Sequence, residues 1–137
     1  MYKNIMVPVD LSHADQVEKA IATAAALGRL YGSRMSIVGV TSAAPGAAGH
    51  NPEEYASKLN AYAAEQSSKH GTAFESVPLT SHDPGVDLDE RLKQAAEELG
   101  ADLVVMASHV PGFLDHFFSS RAGYLASHVG ISVFIVR

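Results

Sequence analysis

The chain has 137 residues, 47% of them apolar, which suits one domain with a real core and speaks against a disordered chain. It has no cysteine, so disulfides and thiolate metal sites are excluded, and a cytoplasmic location is expected. A formal charge of −5 with ten scattered Lys and Arg residues speaks against nucleic acid; no apolar run reaches membrane-spanning length, and residues 1–20 carry no signal-peptide pattern.

The elements alternate along the chain. Asn4 to Val9 reads as a first strand and ends at Asp10. Val17, Ala20, Ile21, Ala24, Leu27 and Tyr31 then recur at helical spacing, with Ser12 as the expected N-cap. Arg34 to Val40 reads as a second strand, and residues 42–51, rich in Ala, Gly and Pro, as a mobile loop. Tyr55, Leu59 and Tyr62 give the next helix a thin apolar stripe. Ala73 to Leu79 is a third strand, and Pro78 inside it favours a sheet edge, because proline has no N–H for a ladder. Asp83-Pro84 opens a third helix, with Leu88, Leu92, Ala95, Ala96 and Leu99 on its apolar face. Leu103 to Met106 is a continuous apolar run, which implies a strand buried on both faces. A loop from Ser108 to Ser119, a fourth helix from Ser120 to Val129 and a last strand from Ile131 to Val136 complete the chain. Gly32, Gly71, Gly100 and Gly130 each close a helical segment just before a strand, as left-handed caps do. This rhythm predicts an α/β fold with a five-stranded parallel sheet, four helices and right-handed crossovers.

The candidate chemistry sits at strand ends. Asp10 follows the first strand directly, where a carboxylate can accept from a ribose, help hold a metal, or cap the next turn. Ser108, Ser119 and Ser120 flank the loop that leaves the fourth strand; their hydroxyls suit phosphate oxygens, as do the N–H groups of Ser120 and Arg121 at a helix N-terminus. One of Ser119 and Ser120 is also the expected cap of that helix. Arg121 is either a phosphate partner or a surface arginine. Phe113, Leu114, Phe117 and Phe118 are expected to pack on the core or on a partner. The seven histidines have no metal-ligand spacing, so no metal is expected. No nucleophile–base pair, paired carboxylates or P-loop lysine demands an enzyme.

Over essentially its whole length the sequence resembles the universal stress protein family. Met1-Tyr-Lys-Asn-Ile-Met-Val-Pro-Val-Asp10 looks like that family's first strand and acidic residue. Glu97 to Met106, Ser120 to His128 and Ser132 to Val136 look like its later helix and strand passages. The resemblance implies a doubly wound, flavodoxin-like sheet in the order 3-2-1-4-5, and a nucleotide crevice at Pro8, Val9, Asp10, Val40, Ala107, Ser108, His109, Val110, Ser119, Ser120 and Arg121. Nucleotide-binding members carry Gly-x2-Gly-x9-Gly followed by Ser or Thr. Here those glycines fall on Ala107, Val110 and, one residue early, Ser119, with Ser120 as the hydroxyl. The short loop and the Ala107-Ser-His-x-Pro111 opening are similar to a subgroup that still binds ATP and keeps a glycine where Ser119 stands. The branch similar to the founding member lacks the glycines and is regarded as not binding ATP.

Val110 is β-branched and precedes Pro111, so extended geometry is favoured; a positive φ there costs on the order of 1–3 kcal/mol. The expectation is a non-enzymatic stress-response module that requires no cofactor and binds ATP or AMP weakly or not at all. The alternative is an ATP- or AMP-binding protein with slow ATPase or self-phosphorylating activity through Asp10 and Ser120. A flavin or electron-transfer domain shares only the fold class. The partners expected are a second copy of the chain, paired antiparallel through the apolar edge strand Ile131 to Val136, and a regulatory protein, with neither nucleic acid nor membrane. A loop of the chain's own covering that edge is the alternative to the dimer.

Overall fold

In a computed structural model, residues 1–42, 51–81, 84–107 and 130–137 are described. Five strands, β1 (Asn4–Val9), β2 (Arg34–Ser42), β3 (Phe74–Ser81), β4 (Leu103–Ala107) and β5 (Ser132–Val136), form one sheet in the order β3-β2-β1-β4-β5. All four pairings are parallel. Three α-helices are described: α1 (Glu18–Tyr31), α2 (Pro52–His70) and α3 (Pro84–Leu99). The expected fourth helix lies outside the described residues, as does the Asp83 cap of α3.

The helices lie on both faces, for a reason visible in β1. Ile5, Val7 and Val9 point to one side and meet Ala20, Ile21, Ala24 and Ala25 of α1 and Tyr55, Leu59 and Ala63 of α2. Met6 points to the other side, with Leu88, Leu92, Ala95 and Ala96 of α3. Alternation at period two therefore divides one continuous apolar run between two cores. β3 is an edge strand, the place in a sheet where proline, which has no N–H, is tolerated.

The helix ends follow the expected chemistry, with two differences. Gly32 and Gly71 both adopt φ 65° and return their N–H groups to Gly28 and Ser67; Gly100 and Gly130 are also left-handed. The first difference is at the start of α1. Ser12 does not cap it. A 3₁₀ segment, Leu11–Val17, kinked at His13, comes first, and its cap is Asp10. The second is Asn51, assigned to a loop from sequence. It caps α2, its side chain accepting from the Glu54 N–H at 2.7 Å, with Pro52 at the first helical position. Residues 43–50 lie outside the described set.

At the amino end of the sheet, Asp102 ties β4 to β1. Its two carboxylate oxygens accept from the N–H groups of Lys3 at 2.9 Å and Asn4 at 3.0 Å. The Asn4 amide in turn donates to the Gly100 carbonyl.

Candidate functional site

In the order β3-β2-β1-β4-β5 the chain reverses its direction of travel between β1 and β4. Crossover connections diverge there and leave a crevice beyond the carboxyl ends of the two strands. Ile5 is level with Leu103 and Met6 with Val104, so the parallel strands finish together and Asp10 and Ala107 lie on the same edge of the sheet. Pro8 and Val9 are buried beneath that edge, while Val40 of β2, level with Asp10, and Ala107 are half-buried. Pro8, Val9, Asp10, Val40 and Ala107 are thus brought together. Ser108, His109, Val110, Ser119, Ser120 and Arg121 lie outside the described residues.

Both oxygens of the Asp10 carboxylate are occupied. Oδ1 accepts from the Ser12 N–H at 2.9 Å, and Oδ2 lies 3.0 Å from His13 Nδ1. The His13 N–H also donates to the Asp10 carbonyl at 3.0 Å. The capping alternative for Asp10 is therefore realised, and a ribose hydroxyl would have to use a remaining lone pair or displace the imidazole. The Asp10 side chain is 29% exposed and that of His13 38%, so the pair can be reached from solvent.

Tyr55 is the residue that sequence reading assigned only to packing. Its ring is buried and its hydroxyl lies against Gly39, where a methyl group would overlap it. Gly39 is level with Val9, the last residue before Asp10. Burial first, and the Asp10 charge second, hold the Tyr55 phenol well above its ordinary range. Tyr55 therefore lines the wall below Asp10 as a neutral hydroxyl. The signals were a glycine inside an apolar strand, which marks close approach, and a tyrosine on a buried stripe.

The Universal stress protein family model matches residues 1–137. This chain belongs to the universal stress protein family. Universal stress protein G from Shigella flexneri is 27% identical over 148 residues, covering 100% of both chains. A universal stress protein from Archaeoglobus fulgidus, solved in complex with dAMP, aligns with a TM-score of 0.69 at 22% identity, covering 99% of this chain and 98% of that one. An Arabidopsis thaliana universal stress protein family protein with AMP bound aligns at a TM-score of 0.64 and 13% identity, covering 98% and 90%. At such identities these structures bear on the fold alone, and the sheet order of this chain, β3-β2-β1-β4-β5, is the one the family resemblance implied. Among the described residues no helix is long and apolar enough to cross a membrane, and no three His, Asp or Glu side chains converge as a cation site.

Proposed function

We propose that this universal stress protein is a non-enzymatic regulatory module of the cytoplasm, that it works as a homodimer paired through β5, and that it binds adenine nucleotides weakly in the crevice between β1 and β4. The observation that carries the nucleotide reading is the engaged Asp10 carboxylate. A ribose entering the crevice would meet a carboxylate whose two oxygens each already have one partner. The dAMP and AMP complexes of the structural neighbours support an adenine nucleotide as the class of ligand.

The loop sequence adds to the weakness. Ala107, Val110 and Ser119 stand where nucleotide-binding relatives have glycines, and Val110 resists the backbone that phosphates need. Strain of about 1–3 kcal/mol lowers affinity roughly tenfold to a hundredfold. For the dimer, the support is an apolar edge: β5 ends the sheet and leaves Phe134 44% exposed. Such edges tend to be paired or covered.

Titration calorimetry with ATP and AMP tests the crevice. The double change Val110→Gly with Ser119→Gly should strengthen ATP binding at least tenfold. His13→Ala in that background should strengthen it again by freeing Asp10, and Asp10→Ala should weaken it. Wild-type protein that binds ATP at low micromolar concentration, with no gain from the glycines, would overturn the reading. Light scattering that gives a monomeric mass at working concentrations would overturn the dimer.

A further inference from the structure

Along α2 the charges of Glu54, Lys58, Glu65 and Lys69 alternate in sign. At 3.6 residues per turn these four fall within about 100° of arc, together with Ala61 and Tyr62. The stripe lies beside the buried one of Tyr55, Leu59, Ala63 and Gln66. Its centre is the point midway between Ala61 and Tyr62. Lys58 and Glu65 stand roughly 5 Å either side of that point along the helix axis, and Glu54 and Lys69 roughly 11 Å. Each charge therefore has its opposite at the same distance beyond the centre. A two-fold axis through that point would lay the stripe antiparallel on its own copy, with every charge facing its opposite.

The centre of the stripe is also where the surface is hollow and apolar. A groove of about 590 Å³ separates α2 from the 3₁₀ segment, with Ala61 and Tyr62 on one wall and Leu11 and Ala14 on the other. Ala61 is exposed and Tyr62 half-buried. A helix ridge beside a groove is self-complementary, because each copy can set α2 into the groove of the other. Alanine at the centre lets the two backbones come close.

Within one chain these charges do little. Lys58 meets Glu54 only at 3.7 Å, with side chains 48% and 36% exposed, and Lys69 meets Glu18 of α1 at the surface. No ion pair among the described residues uses Glu65. Exposed pairs of this kind add little to the fold and exchange partners readily.

We infer that α2 docks on a second copy of this chain, antiparallel across a two-fold axis. Lys58 of each copy faces Glu65 of the other, Glu54 faces Lys69, and Ala61 and Tyr62 fill the middle. The pairing is weak and sensitive to salt, since its charges sit at an exposed rim. It is independent of the β5 edge: α2 packs on β3 and β2, at the opposite side of the sheet. Where both contacts form, dimers join into larger assemblies.

The test is sedimentation velocity on the full chain carrying Phe134→Lys, which places a charge on the β5 edge and removes that contact from every arm. This parent should associate at tens to hundreds of micromolar, and at least fivefold more weakly in 1 M salt than in 0.1 M. Lys58→Glu and Glu65→Lys should each weaken association at least tenfold, because like charges then oppose each other at both sides of the axis. An equal mixture of these two variants should associate within threefold of the parent, since two lysines of one chain meet two glutamates of the other. The chain has no cysteine, so Ala61→Cys reports the contact directly. Mild oxidation should link it into pairs at least tenfold faster than Ala64→Cys, an exposed position on the far side of α2. All these side chains on α2 are exposed, so the variants are expected to fold. A parent that stays monomeric at every concentration, single reversals without effect, or a mixture no more associated than its components would overturn the proposal.

Discussion

Gly39→Ala tests whether the Tyr55 hydroxyl is seated against β2 as described. A Cβ at position 39 would overlap that hydroxyl and lie 3.1 Å from Leu59 Cδ1 and 3.2 Å from Tyr55 Cζ. Tyr55 and Leu59 are 2% and 0% exposed, so neither side chain can swing into solvent to make room. Overpacking of this kind costs about 1–3 kcal/mol. Against it stands a gain of roughly 0.5–1 kcal/mol for removing a glycine from a strand interior; Gly39 has no positive φ, so alanine can adopt its backbone. The expected net loss is therefore centred on about 1 kcal/mol, within a span of about 0–2.5 kcal/mol. In urea each kcal/mol lowers the midpoint by roughly 0.3–1 M, at the slopes usual for small domains. Tyr55→Phe removes the clashing atom, so in that background the alanine should cost less than half as much. A midpoint that is raised by Gly39→Ala, or a loss that is the same with phenylalanine at 55, would refute this seating of the ring.

Three further outcomes follow from named groups. Tyr55 and Tyr62 are both raised above the ordinary phenol value of 10.0, so the unfolded chain loses these protons first. Stability should thus be intact below about pH 10 and fall as pH rises toward 12; absorbance at 295 nm should show two tyrosines that titrate late or only on unfolding. His70 is lowered from 6.5, first by burial, then by Lys69 and Arg29. The unfolded chain therefore binds this proton more readily, and stability should decline as pH falls below 6.5; His70→Asn should flatten that slope in urea melts at pH 5 to 7. Asp102→Ala removes both acceptors that tie β4 to the Lys3 and Asn4 N–H groups, and should cost about 1–3 kcal/mol by urea unfolding; an unchanged midpoint would mean that water replaces the carboxylate without loss.

What the amino-acid order determined by itself was the part governed by short range. Apolar spacing and four glycines at helix ends marked the alternation of strand and helix, because helical period and left-handed caps depend on neighbours within a turn. The same local signals placed Pro78 on an edge and put Asp10 at a strand end. The strand order came with the family resemblance, not from local spacing. The Asp10 cap was legible only as one alternative, since an aspartate two residues before a free N–H suits a turn as well as a ligand. That His13 takes the other oxygen depends on the kink in the 3₁₀ segment, which no propensity shows. Only the tertiary structure decided the pairing of Tyr55 with Gly39, the Asp102 clamp across 98 residues, and the groove between the 3₁₀ segment and α2. Each joins groups far apart in the chain, and their contact is set by how two faces of one sheet are covered, a property of packing that no window of sequence contains.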